Sequence, residues 1–192
     1  MGELKQEWIA ELWSPEASRR AHGAKQIYAY GRSLADQAVQ IWWQNENLAR
    51  LLGRDRQLTV GLAVRPETFA AIRKANGWTK LAEVPPDQDA SEFELHFEGQ
   101  ISLDILTSRV PDSDGAIAKF LAKFGEGIQQ VELHCTDVGR ATAILRENFG
   151  IAAIYPETWP GANGTRVNFF LVPAADGKKI LIELYEPSAI RF

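Results

Sequence analysis

One run of secondary-structure signals occurs twice in this chain, about 70 residues apart, and it limits the fold more than any single motif does. The stretch QLTVGLAV (57–64) aligns with GIQQVELH (127–134), and ISLDIL (101–106) aligns with ILIELY (180–185). After the first stretch, residues 66–74 carry Phe69, Ala70 and Ile72 at helical spacing, and Asn76-Gly77 ends the helix. After the second, residues 138–148 carry Ala141, Ile144 and Leu145, closed by Gly150. Strands are expected at 93–97 and 101–106, joined by Glu98-Gly99. The second copy has a short strand at 152–155, then strands at 167–172 and 180–185 joined by Asp176-Gly177. Each copy is read as strand, helix, then three strands, of which 93–97 and 101–106 are the two located in the first copy. Neither can close a sheet alone, so the two must share one.

Ahead of the repeat, residues 1–55 read as a helical arm. Leu4, Trp8, Ile9, Leu12 and Trp13 recur at helical spacing, and Ser14-Pro15-Glu16 has the form of an N-cap with proline at the first helical position. A broad apolar stripe then runs from Ala24 to Trp42, with Gly31 as a point of interruption. Four of the six tryptophans (Trp8, Trp13, Trp42 and Trp43) fall in the arm, where large aromatics serve to bury it against the chain or a second subunit. The expected organisation is an arm (1–55), a first βαβββ module (56–107), a connecting helix (108–126) and a second βαβββ module (127–192). The fold class is α+β, with a cup-shaped mixed sheet.

The formal net charge of −4, without a concentrated basic face, argues against a nucleic-acid partner. The acidic N-terminus lacks the apolar core of a signal peptide, and no run approaches the roughly 20 apolar residues that span a bilayer. A cytoplasmic protein without membrane contact is expected. A single cysteine, Cys135, excludes an internal disulfide.

The doubled βαβββ order resembles the vicinal-oxygen-chelate (glyoxalase-like) superfamily. The wording is nearest its methylmalonyl-CoA epimerase branch: AIAKFLAKFGEGI (116–128) running into Gln129-Gln130-Val131, NGTRV (163–167) before Phe169, and the ending KILIELYEP (179–187). The resemblance extends over residues 93–187, is thinner over 57–92 and does not include the arm. It implies an eight-stranded cup with a divalent metal at its floor. One ligand would come from the first strand and one from the last strand of each module, which places them at Thr59, Asp104, Gln130 and Glu183.

The residues support part of that implication and depart from the rest. In ILIELY, Leu181, Glu183 and Tyr185 share one face while Ile180, Ile182 and Leu184 share the other. An acid between apolar neighbours on a central strand must be paired, protonated or bound to a cation, and Asp104 has the same setting. Against this, Thr59 and Gln130 stand where the superfamily usually has histidine. An all-oxygen set suits Mg²⁺ or Mn²⁺ better than Zn²⁺ or Fe²⁺, and the two histidines of an iron oxygenase are absent. A metal-free site is the alternative.

His134 shares a face with Gln130 and Glu132, which makes His134, Glu132 and Glu183 the candidate proton-handling residues. His96 sits on a polar face with Glu94 and Glu98, and His22 on the outside of the arm. Arg166 is a candidate for an anionic substrate group; Tyr155, Trp159 and Tyr185 are candidates for the cup mouth, with 156–164 as its lid. Three function classes follow: a divalent-metal-dependent lyase or isomerase acting on a small oxygen-rich substrate through an enolate, a metal-free small-molecule-binding protein, or a non-catalytic interaction module. The aromatic arm also suggests a homodimer.

Overall fold

In the computed structural model, residues 4–53, 57–175 and 177–187 are described. Seven strands form one curled mixed sheet in the order β2-β3-β1-β4-β7-β6-β5. The first module supplies β1 (Leu58–Ala63), helix α4 (Pro66–Ala75), β2 (Ser91–Phe97) and β3 (Ile101–Thr107). The second supplies β4 (Gly127–His134), helix α6 (Val138–Phe149), β5 (Trp159–Pro160), β6 (Arg166–Pro173) and β7 (Lys179–Glu186). The modules join at the centre, where β1 pairs antiparallel with β4. Each central strand then has the last strand of its own module as a parallel neighbour, β3 beside β1 and β7 beside β4. The connecting helix is α5 (Ala116–Phe124).

The sheet has seven strands rather than eight because residues 78–90 form none. That stretch opens on Trp78 at φ 58°, a left-handed conformation unsuited to a strand, and contains Pro85-Pro86, which lack donors for a ladder. The short strand expected at 152–155 is reduced to one bridge between Ala153 and Phe170. The three turn signals in the described residues hold: Gly77, Gly99 and Gly150 all adopt positive φ. At the fourth, Asp176-Gly177, Asp176 lies outside the described residues, and Gly177 has φ 82°.

The arm folds as α1 (Gln6–Glu11), α2 (Ala17–Gln44) and α3 (Glu46–Leu51). Ser14 is not the helix cap: α2 begins after Glu16, and Ser14 Oγ accepts from the Glu16 backbone N–H instead. Helix α2 crosses the convex face of the sheet. Its first half packs Ala24 and Ile27 with Val60, Leu62, Leu103 and Ile105; its second half packs Leu34, Val39 and Trp42 with Leu133, Phe170, Ile182 and Leu184. One helix therefore covers both modules. Gly31 does not interrupt it but lies where helix and sheet touch, since a Cβ there would stand 2.4 Å from Val60 Cγ1. The arm's aromatic bulk is used inside the chain, with Trp42 buried edge-on to Phe170 at a centroid distance of 6.0 Å. Among the described residues no helix is long and apolar enough to cross a membrane.

Candidate functional site

Strand alternation divides the sheet into an apolar convex face and a polar concave one. Leu58, Val60 and Leu62 face the helices, as do Ile180, Ile182 and Leu184. On β7 the alternate residues, Leu181, Glu183 and Tyr185, line a cavity of about 920 Å³. Onto that concave surface β2 sends Glu92 and Glu94, β3 sends Asp104, β4 sends Gln130 and Glu132, and β7 sends Glu183 and Tyr185. Register aligns them across strands: Glu94 opposite Asp104, Gly61 opposite both Asp104 and Gln130, and Glu132 opposite Glu183. Gly61 is required by this crowding, because a Cβ would lie 2.5 Å from Gln130 Cγ.

At the floor, Gln130 Nε2 donates to Glu132 Oε1 at 3.0 Å and to Glu183 Oε2 at 2.6 Å. One amide group thus bridges two buried acids. Burial, reinforced by neighbouring carboxylates, pushes Asp104 and Glu183 well above the usual carboxyl range. Burial also raises Glu132, to about 7, although its hydrogen bond from Gln130 acts in the opposite direction. Glu92 is raised to about 7 by burial and the adjacent Glu94. Asp104 Oδ1 is buried without any hydrogen-bond partner.

The sequence-based candidates are thus partly assembled. Asp104, Gln130, Glu132 and Glu183 converge on the large cavity. Thr59 and His134 line a second, smaller cavity of about 240 Å³, together with Glu94, His96 and Tyr185. There His134 meets Tyr185 edge-on at 5.7 Å. His96 bonds Glu94 at 3.0 Å and Ser102 at 3.2 Å; His22 bonds Glu11 at 2.7 Å in the arm. Arg166 is exposed and donates to Thr158. Tyr155 and Trp159 stack at 5.2 Å along one wall. The 156–164 segment reaches the opposite rim, where Gln88 Nε2 donates to the Pro160 carbonyl and Asn163 and Glu83 exchange two hydrogen bonds. Cys135 is buried, which pushes its thiol to about 11 and leaves it a poor nucleophile.

Glu92 escaped the sequence reading. Its signal is the alternation that continues back from Glu98, His96 and Glu94, a polar face in the sequence, to Glu92. On an inward-curling edge strand, the polar face is the inside of the cup.

The donor chemistry at the floor is all oxygen, as a hard divalent ion requires, but the four residues expected as ligands do not converge on one point. Thr59 belongs to the other cavity, the Gln130 amide nitrogen stands between the two glutamates, and among the described residues no three His, Cys, Asp or Glu side chains gather to hold an ion.

Solved structures with this architecture are numerous. A methylmalonyl-CoA epimerase from Mycobacterium tuberculosis matches at 29% identity and TM-score 0.56, covering 73% of this chain and 96% of its own. The fold is that of the vicinal-oxygen-chelate proteins. A hypothetical protein from Bacillus halodurans C-125 matches at 26% identity, covering 70% of this chain and 95% of its own at TM-score 0.56. A Streptomyces coelicolor methylmalonyl-CoA epimerase, in complex with 2-nitronate-propionyl-CoA, has 23% identity and TM-score 0.54, covering 68% and 96%. No protein-family model matches the chain, and no curated protein matches it.

Proposed function

We propose that this vicinal-oxygen-chelate-type chain is an isomerase-like protein that moves a proton on a small molecule held in the concave cavity, with Glu132 and Glu183 as the proton-carrying pair. The observation that carries this reading is the double hydrogen bond from Gln130 to both acids at the cavity floor. The acids differ in a useful way. Glu132, near 7, supplies a carboxylate base around neutral pH, while Glu183, held well above the usual range, supplies an acid. The Glu132 carboxylate takes a proton from the carbon beside a carbonyl, and the C–H electron pair becomes an enolate. Glu183 returns a proton to that carbon. Gln130 fixes both side chains relative to the substrate. Similarity in fold to methylmalonyl-CoA epimerases, one solved in complex with methylmalonyl-CoA and NH4+, is consistent with this chemistry class.

Solvent exchange tests it. In D2O the protein should catalyse deuterium incorporation at the α-carbon of a subset of small carbon acids, offered with anionic, neutral and cationic side groups. Glu132→Gln and Glu183→Gln should each reduce exchange by at least about a hundredfold. Exchange at the uncatalysed rate with every compound would overturn the reading.

A second reading is carried by Asp104 Oδ1, the orphaned acceptor at the floor. A hard divalent cation, Mg²⁺ or Mn²⁺, would be held by Asp104, Glu183 and Gln130 Oε1 after rotation of the amide. When bound, such an ion supplies Lewis-acid stabilisation of an enolate oxygen. Calorimetric titration of chelator-treated protein distinguishes the readings: micromolar Mn²⁺ binding lost in Asp104→Asn favours the ion. Cytoplasmic location and a homodimer are further proposals, the latter tested by the elution volume at micromolar concentration.

A further inference from the structure

We propose that the cavity selects an organic cation, a small amine or quaternary ammonium compound, through an acidic floor flanked by an aromatic wall. The proposal rests on the reading of this cavity as the ligand site and adds the charge class of its ligand. Among the described lining residues seven are acidic (Asp87, Asp89, Glu92, Glu94, Asp104, Glu132, Glu183) and one, Lys80, is a fixed cation. Asp89 is accounted for locally: it accepts from Ser108, Ser113 and the Val110 backbone N–H. Arg109 lies close enough to Glu92 to offset it in part. Of the remaining acids, Glu94 is paired with His96 at 3.0 Å, whereas Asp104, Glu132 and Glu183 make no ion pair among the described residues.

The independent sign of a missing ligand is the set of empty acceptors. Asp104, 5% exposed, leaves Oδ1 unpartnered, and Gln129 Oε1 is likewise buried and unpartnered on the same surface. Leaving such oxygens bare is costly in a dry site, and both can be satisfied by a protonated amine, which brings N–H donors; a quaternary ammonium compound has none and would be held by charge and the aromatic faces alone. An anion would instead meet carboxyl oxygens on nearly every side. Beside the acids, where Phe169 is the register partner of Glu183, Tyr155 stacks on Trp159 at 5.2 Å and meets Phe169 edge-on at 5.9 Å. Aromatic faces attract cations through their quadrupole, and Trp does so most strongly. Acids adjoining an indole are the chemistry that holds ammonium groups. It is poorly suited to the acyl-CoA anions named for the solved epimerases.

Isothermal titration with benzyltrimethylammonium and benzylamine, against benzyl alcohol and benzoate, tests the proposal on the full chain. The two cations should bind at least about tenfold more tightly than the neutral and anionic compounds. Trp159→Ala and Glu94→Gln, both at exposed positions where folding is little affected, should each weaken cation binding at least about threefold. Benzoate binding as well as benzylamine, no cation binding at 10 mM (roughly a 3 kcal/mol threshold), or indifference to both substitutions would each overturn it. The two proposals fail separately. Cation binding without deuterium exchange removes proton transfer and leaves the ligand class; exchange confined to anionic carbon acids does the reverse.

Discussion

Gln130 and Glu183 share a 2.6 Å hydrogen bond between neighbouring parallel strands, and the same amide nitrogen reaches Glu132 at 3.0 Å. A neutral donor here stands where two acids would otherwise face each other unaided. Gln130→Leu removes both hydrogen bonds while keeping similar bulk. Buried carboxyl groups that lose a donor are harder to ionise, so the cost should grow with pH. Chemical denaturation should show a loss of about 1–3 kcal/mol at pH 8 and less at pH 5, where these acids are protonated. An equal loss at both pH values would show that Gln130 contributes only by packing.

Overall stability should itself fall as pH rises. Glu132 and Glu92 are both raised to about 7 from an ordinary 4.5, and burial also holds Asp104 and Glu183 well above the usual carboxyl range. For an acid whose folded-state value is raised, the native state holds more protons than the unfolded chain between the two values. The penalty for ionising in the fold is therefore absent below about 4.5 and fully present, for Glu132 and Glu92, above about 7. Asp104 and Glu183, raised as well, act in the same direction. Melting temperatures measured from pH 5 to pH 8 should decline throughout. A flat or rising curve would mean that these acids are solvated or neutralised by a bound cation.

The legible part of the sequence was the part governed by local periodicity. The alternation in 180–185 placed Glu183 and Tyr185 opposite Ile182 and Leu184, and the paired strands placed Asp104 and Gln130 on the same concave surface. Residues that depend on curvature were harder to place. Thr59 lies on the concave face in register with Glu132, yet it opens on the smaller cavity with His134. The register between Gly61 and Leu62 is irregular where β1 meets β4, so equal positions in the two repeats do not converge on one point. Glu92 was hidden for a related reason, since alternation says which residues share a face but not which side of a curled edge strand is enclosed.

Gly61 joins backbone geometry to the site. It lies opposite both Asp104 and Gln130, and an added methyl group would stand 2.5 Å from Gln130 Cγ and 3.1 Å from Leu106 Cδ1. Gly61→Ala should push the Gln130 side chain from its place between the glutamates. Overpacking of this kind costs roughly 1–3 kcal/mol. The distinguishing result is a double-mutant cycle with Gln130→Ala, which removes the side chain in the way. The Gly61→Ala penalty should largely vanish in that background; strict additivity would place the strain elsewhere.

The arm should prove inseparable from the sheet. Trp42 is 1% exposed, lies edge-on to Phe170, and shares a cluster with Leu133 of β4, Leu145 of α6 and Leu184 of β7. Truncating it leaves a cavity between three layers of elements that cannot close together around it. Trp42→Ala should therefore destabilise the chain by roughly 3–5 kcal/mol, a large fraction of the 5–15 kcal/mol that holds an ordinary domain folded. Trp13, at 37% exposed, provides the control from the same arm, and Trp13→Ala should cost below about 1 kcal/mol. Both values come from urea denaturation followed by far-ultraviolet circular dichroism, which reports helix and sheet together. If the two variants lost similar amounts, or if Trp42→Ala lost under about 1 kcal/mol, α2 would be an accessory helix resting on a sheet stable without it.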